Sequence, residues 1–529
     1  MAATTSVSVS APVDRARAAS QWWGGLSFGE RRARLLAWKR HIAARAGELA
    51  ALISEETGKP AGDALLEVML AVEHLDWAAR NASKVLRRRR VRSGLLAADQ
   101  GAALSYRPLG VIAVIGPWNY PVYTPIGSIS YALAAGNAVV FKPSEHTPRT
   151  GTWLASSWSA SASGLASASS PASASSPASA SGPASASSPA SASATGPASG
   201  RASASGRASA SGRASALMEP EPVLQVVTGD GTVGAALCAA GADKVAFTGS
   251  AATARRVMAA CAQTLTPVVI EGGGKDAMIV AADADLDAAA RAAAFGGFGN
   301  AGQTCAGVER IYVERAVYPD FVSRLKAIAE SLPADGPDLP YGPMTVPSQV
   351  DIVRRHIDDA LAHGGKAAVG GPESIREPYI FPVVLTEVPE DSAAMTEETF
   401  GPTLVVNPVD NLDEAVRLAN TSTYGLAASI FSANRRGAEA LAARLRTGAA
   451  SINGVLGFAA VPSLPFGGVG DSGFGRIHGP DGLREFSRAQ SVTWRRFPAP
   501  LDLMRLGRDQ AVLDRAAKLF KLRHARGTR

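Results

Sequence analysis

Two short apolar runs set one helix length apart, LGVIAVIG (109–116) and NAVVFKP (137–143), constrain this chain more than any other feature. Runs of this length, bounded by Gly and Pro, predict strands buried on both faces. The apolar stretch Tyr123 to Ala135 between them predicts the crossover helix of a βαβ unit, which commits the chain to a parallel sheet covered by helices. PVLQVVTG (222–229), KVAFTGS (244–250) and TPVVIEGGG (266–274) continue the strand rhythm. Upstream, from Asp14 to about Arg90, apolar positions recur at helical spacing and supply faces to pack on that sheet.

The rhythm breaks between Ser159 and Ala216, where the sequence becomes almost pure Ala, Ser, Pro and Gly in a six-residue repeat (ASASSP, ASASGP, RASASG). With no large apolar side chain at a fixed phase, the repeat offers no solenoid core. The helix expected to begin at Thr150 and Trp153 should therefore give way at 159–216 to a low-complexity, disordered insert. A flexible chain of that length spans roughly 40 Å root-mean-square, so it can loop out with its ends close together.

The chain's 529 residues exceed one ordinary core, so at least two domains are expected. The net charge of +7 is concentrated in residues 501–529, which carry eight Lys or Arg against three Asp. The body is nearly balanced, which argues against a nucleic-acid partner. Three cysteines without a CxxC exclude a disulfide framework and a thiolate metal cage, and no metal site is expected. The N-terminal segment lacks a signal peptide's apolar core, and no run of ~18 apolar residues exists to span a bilayer. A cytoplasmic protein is the expectation.

Cys305 sits in GNAGQTCAGVER, among small residues that leave room for a substrate. An ordinary thiol is little ionised at neutral pH, so a nucleophilic role requires a base or a positive field nearby. Taken alone, Cys305 is better read as inert, and for Cys238 and Cys261, set among Ala, Leu and Val, that reading is kept. Glu271 ends the strand TPVVI, where a carboxylate would face an interdomain cleft or merely be solvated. Asn119, in IGPWNYP, could donate to an oxyanion or serve turn chemistry beside two prolines. Lys142 and Glu145, in FKPSEHTP, could hold a ribose or form a surface salt bridge. Gly249 and Ser250 could present helix N-terminal donors to a pyrophosphate, although no GxGxxG is present.

The joint order of the pieces shifts the balance. PWNYP, KPSE, FTGS, EGGGK, GQTC, EETFGP (397–402) and PFGGVGDSG (465–473) follow one another as in the aldehyde dehydrogenase superfamily, with Glu271 and Cys305 at a similar separation. The resemblance covers nearly the whole chain outside the insert and the two ends. It implies an α/β fold: a helical region and Rossmann-like NAD-binding domain (1–100, 109–158 and 217–270) and an α/β catalytic domain (271–470). It also implies oligomerisation strands (101–108 and 485–497) and leaves a basic amphipathic tail (498–529).

The implied reaction oxidises an aldehyde to a carboxylate. Cys305 attacks, Asn119 and the Cys305 backbone N–H hold the oxyanion, and Glu271 activates the water that hydrolyses the thioester. Lys142, Ser144, Glu145, Gly249, Ser250, Glu398, Phe400, Pro117 and Trp118 would hold the cofactor, and Trp118, Tyr123 and Phe466 would wall the substrate pocket. A carboxylate at Glu145 opposes a 2′-phosphate, which favours NAD over NADP. The segment 452–487 is similar to the branch that oxidises medium-chain, fatty or aromatic aldehydes. The alternatives are a CoA-acylating or reductive relative, or a silent scaffold whose cofactor pocket the insert has spoiled. Two small departures stand out: Gly272 where the family usually has Leu, expected to loosen Glu271, and Ala254 where Gly is common. A homodimer or homotetramer is expected. The tail's apolar positions (Val512, Leu513, Ala516, Leu519, Phe520, Leu522) would pack on the dimer, with weak peripheral membrane contact as the rival fate.

Overall fold

The computed structural model describes residues 9–94, 97–168, 221–333, 340–498, 503 and 506–525. The helical lead-in forms four helices, Ser10–Gly25, Phe28–Ala44, Ala46–Thr57 and Ala61–Leu86. Local chemistry sets their ends. Ser27 and Glu30 form a reciprocal capping box, and Gly58, at φ 75°, closes the third helix in the left-handed conformation that glycine adopts without strain. Trp23, Leu35, Trp38, Ile53 and Leu75 face inward and share one core with a six-stranded sheet.

That sheet runs, in space, Gly473–Phe474, Val268–Glu271, Lys244–Thr248, Val111–Ile115, Ala138–Lys142, Leu224–Val226. All its pairings are parallel except the one made by Gly473–Phe474. Every residue of Val111–Ile115 and Ala138–Lys142 is buried, as a sheet covered on both faces requires. Chain order runs outward from Val111–Ile115 to Leu224–Val226, then restarts on the other side with Lys244–Thr248. At such a reversal the loops leaving two neighbouring strands part to opposite faces and open a crevice at their carboxyl ends. The loops that part here begin at Gly116 and Gly249.

A second core, with Met278, Ile311, Phe321, Val384 and Leu404 inside, surrounds a seven-stranded sheet. Its order is Lys366–Val369, Val383–Thr386, Thr403–Val409, Val308–Glu314, Asp276–Val280, Ala428–Phe431, Ser451–Ile452. The division at residue 270 shifts slightly: Glu271 is the last residue of the first sheet, and the chain returns to that sheet at Gly473–Phe474. The strands expected at 101–108 and 485–497 pair antiparallel as Gln100–Pro108 and Ser487–Arg495, from Ser487 opposite Pro108 to Arg495 opposite Gln100. Arg89–Val91 joins on the other edge.

The helix Pro148–Ala168 continues past Ser159, where the composition had suggested a break. Ala is the best helix former, and a run of Ala and Ser extends a helix whose preceding turn is already anchored by buried Leu154 and Trp158. The remainder of 159–216 lies outside the described residues. The tail forms a helix, Gln510–His524, with no buried residue. Among the described residues no helix is long and apolar enough to cross a membrane.

Candidate active site

Two parts of the fold converge on one point between the cores. The strand Val268–Glu271 delivers Glu271 at its carboxyl end. The helix Leu286–Phe298 and the following turn Gly299–Gly302 deliver Cys305 from the second domain. The Cys305 thiol donates to Glu271 Oε1 at 3.1 Å, and the Thr248 hydroxyl reaches Oε2 at 3.4 Å. Burial pushes the Glu271 carboxyl above its usual range, although both hydrogen bonds oppose that shift. Burial also pushes the Cys305 thiol well up, and the adjacent Glu271 carboxylate reinforces it. Sulfur is the donor in this contact, and Glu271 is placed to take its proton.

Gly272 lies against the chain that returns at Asp471 and Ser472. A side chain there would begin 2.4 Å from the Asp471 carbonyl oxygen, and Gly272 N donates to Ser472 O at 3.0 Å. On this backbone the close crossing leaves no room for a side chain at 272, and the hydrogen bond ties the strand end to the returning chain.

Cys305 lies between two cavities and lines both. The first, of about 330 Å³, is walled by Tyr123, Phe295, Leu456, Phe458 and Phe466 beside Glu271. The second, of about 400 Å³, occupies the crevice at the sheet's reversal and is walled by Pro117, Trp118, Gly249, Ser250, Glu398 and Phe400. Trp118, expected in both pockets, lines only the second, where its ring meets Phe400 edge-on at 5.6 Å. Its neighbour Asn119 is buried and lines the second cavity with Cys305; its Nδ2 donates to Gln303 O at 2.8 Å.

The second cavity has the donor set for a dinucleotide. The helix Ala251–Ala262 opens onto it, capped by the Ser250 side chain, and its first N–H groups suit a pyrophosphate. Glu398 accepts from Gly274 N at 3.0 Å, which leaves acceptor capacity for ribose hydroxyls. Burial pushes the Glu398 carboxyl up to about 8, aided by the nearby Glu309. Lys142 ends the neighbouring strand Ala138–Lys142 and Ser144 and Glu145 follow it, all three outside both cavities, with Lys142 Nζ 3.7 Å from Glu145. Burial holds the Lys142 ammonium below its ordinary value.

Two buried ion pairs escaped the sequence reading. Lys275 Nζ donates to Glu309 and to Thr399 Oγ1, while Glu309 accepts from the backbone N–H of Thr399 and Phe400. This fixes the EETFGP loop even though Phe400 stands at φ 51°, a strained value for a phenylalanine. The second pair, Lys59 and Glu67, grips the loop of Asn119. Lys275 and Glu309 border motifs already singled out (EGGGK, GQTCAGVER), so adjacency was a usable signal; Lys59 and Glu67 carried none. His478 also lines the first cavity, its ring centroid 3.9 Å from that of His74, and burial pushes both imidazoles below their usual range.

Comparison with known proteins agrees with this geometry. The model of the "Aldehyde dehydrogenase family" matches residues 1–165 and 203–492 and passes over 166–202. A 4,4′-diapolycopene aldehyde oxidase of a Methylomonas species is 37% identical over 476 residues, 89% of this chain and 79% of that protein. Among solved structures, betaine aldehyde dehydrogenase of Staphylococcus aureus, determined with NAD+, superposes with a TM-score of 0.78 at 25% identity, covering 94% of this chain and 91% of the other. An NADP-dependent enzyme of Escherichia coli gives 0.76 at 28% identity, covering 92% and 89%.

Proposed function

The chain belongs to the aldehyde dehydrogenase family and is an NAD- or NADP-dependent enzyme of that class, and on that premise we propose that it oxidises an apolar medium-chain or aromatic aldehyde to the carboxylate with NAD. The observation that carries this reading is the Cys305 thiol, hydrogen-bonded to Glu271 where the two cavities meet.

The aldehyde enters the first cavity, whose walls are mostly aliphatic and aromatic, which supports an apolar substrate. Glu271 takes the thiol proton as sulfur attacks the carbonyl carbon, and the oxygen acquires negative charge. An amide has two hydrogens; Asn119 spends one on Gln303 O and offers the other, with the Cys305 backbone N–H, to that oxygen. The nicotinamide, when bound in the second cavity, supplies the hydride acceptor. Pro117, Trp118 and Phe400 flank that site, Glu398 would hold its ribose, and Gly249 and Ser250 its pyrophosphate. Glu271 passes the thiol proton to solvent through the first cavity, then draws a proton from the water whose oxygen attacks the thioester carbon; the C–S bond breaks, the carboxylate leaves and the Cys305 sulfur takes the proton back from Glu271. Its raised pKa suits this second task.

Glu145, half exposed beside Lys142, opposes a 2′-phosphate and supports NAD over NADP. We also propose a cytosolic homodimer or homotetramer joined through the strand Ser487–Arg495. Reduced-nicotinamide formation across an aldehyde series from propanal to decanal plus benzaldehyde, with NAD and with NADP, tests the whole reading beside Cys305→Ala. Turnover in the cysteine variant would overturn the mechanism, and a higher kcat/KM with NADP would overturn the cofactor choice.

A further inference from the structure

The buried pair Lys59 and Glu67 is used by none of the steps above. Lys59 directly follows Gly58 at the end of one helix, and Glu67 lies in the next, Ala61–Leu86. Their side chains are 1% and 0% exposed, with Nζ and Oε2 2.6 Å apart. Two charges withdrawn from water lose more solvation than their mutual attraction returns unless further hydrogen bonds complete their shells. Here the completing bonds go to a single loop. Lys59 Nζ donates to the Asn119 carbonyl at 2.8 Å, and Glu67 Oε1 accepts from Val122 N at 2.8 Å and Tyr123 N at 3.1 Å.

The grip reaches Cys305 by a second path. Lys59 Nζ lies 4.0 Å from the centroid of the Tyr120 ring, and the Tyr120 hydroxyl shares a hydrogen bond of 3.0 Å with Thr304 Oγ1, one residue before Cys305. The Asn119 carbonyl accepts a second bond, from Asn300 Nδ2 at 3.3 Å, and Asn300 Nδ2 also donates to Gln303 O at 3.2 Å. That carbonyl is thereby tied both to Lys59 and to the cysteine loop.

We propose that Lys59 and Glu67 are positioning residues for the oxyanion: they hold the Asn119 peptide so that its side-chain amide keeps one hydrogen on Gln303 and the other aimed beside Cys305. This rests on the reading of Asn119 as an oxyanion donor. A donor helps only at hydrogen-bond distance from the oxygen that becomes charged, and a displacement near 1 Å costs on the order of 100-fold in rate.

The test compares the full-length enzyme with Lys59→Met/Glu67→Gln, which removes both charges and keeps side-chain volume, with Asn119→Ala, and with the three changes combined. Octanal is the probe; the readouts are the single-turnover rate of reduced-cofactor formation, KM for octanal, and NAD affinity from quenching of tryptophan fluorescence. The paired variant is expected to lose on the order of 10- to 100-fold in single-turnover rate, with KM and NAD affinity within about threefold. Adding it to Asn119→Ala is expected to cost nothing more, because its effect passes through that amide. Losses that multiply in the combined variant, an unchanged rate in the paired variant, or KM and NAD affinity degrading in step with the rate would each overturn the proposal. A normal rate for Asn119→Ala would instead show that the oxyanion reading itself fails, and the proposal with it. Should the paired variant fold poorly, Lys59→Arg retains the charge while displacing the donor, and the same selective rate loss is expected.

Discussion

At the scale of single residues, the proposed mechanism asks the carboxylate that receives the Cys305 proton to activate water as well, so its ionisation should control the rate. Burial raises the Glu271 pKa, and a base works only when deprotonated. The kcat profile should therefore climb with pH along an acid limb displaced above the ordinary carboxylate range. In Glu271→Gln that limb should vanish: the first turnover slows because the thiol has lost its base, and steady-state turnover falls by about 100-fold or more because the water has lost it too. An unchanged profile in the variant would assign the base elsewhere. Glu398 makes a different prediction. Its pKa rises on folding to about 8 because burial disfavours the charged form. The folded state thus binds the proton more tightly than the unfolded chain does, so this group's contribution is fully present below the ordinary carboxylate pKa and is lost as pH rises to about 8. Glu398→Gln stays neutral throughout, so its melting temperature should gain on that of the parent between pH 5 and 9, by on the order of a few degrees, while NAD affinity falls. Parallel melting curves for the two proteins would sink this account.

At the scale of elements, the strands were readable because their signal is local: Val111–Ile115 and Ala138–Lys142 lie within one residue or two of the apolar runs that announce them, and both are buried on each face. The helix Pro148–Ala168 was readable only where it carries large side chains. Its later turns, from Ser159, are Ala, Ser and Gly apart from Leu165, and so carry no periodic apolar face. Lys59 and Glu67 show the same limit for the site, since nothing in TGKP or in the Glu67 segment reveals that they meet beside a residue 60 positions away. The helix depends on Trp158, whose ring meets Trp23 and Trp38 edge-on at 5.6 and 5.3 Å, while Trp38 Nε1 donates to Ser157 Oγ at 2.8 Å. Trp158→Ala should cost about 3–5 kcal/mol in chemical denaturation. Excising residues 169–202, all of which the family match passes over, should move stability by less than about 0.5 kcal/mol and leave NAD affinity unchanged. A protein that no longer folds after that excision would make the repeat structural.

At the scale of the whole molecule, two separate cores are bridged where the Glu271 strand and the Cys305 turn meet, and the two cavities lined by Cys305 open at that boundary. The small sheet is hydrogen-bonded to neither large sheet, and its central strand packs Tyr106 against the first core. Ser487–Arg495 is its edge strand, its side chains largely exposed and its outer backbone groups open to another strand. The tail helix Gln510–His524 follows it and buries nothing within its own chain, although Leu513, Leu519, Phe520 and Leu522 are exposed large apolar residues. An amphipathic helix gains stability by covering its apolar side, and an adjoining edge strand that pairs two subunits would bring a second protein surface within reach. Truncation after Pro498 should therefore weaken assembly: light scattering should show the mass per particle falling at dilutions where the full chain stays associated. Neither protein should float with vesicles containing anionic lipid. If the full chain floats, the truncated one does not, and the mass is the same for both, the basic helix serves a membrane surface.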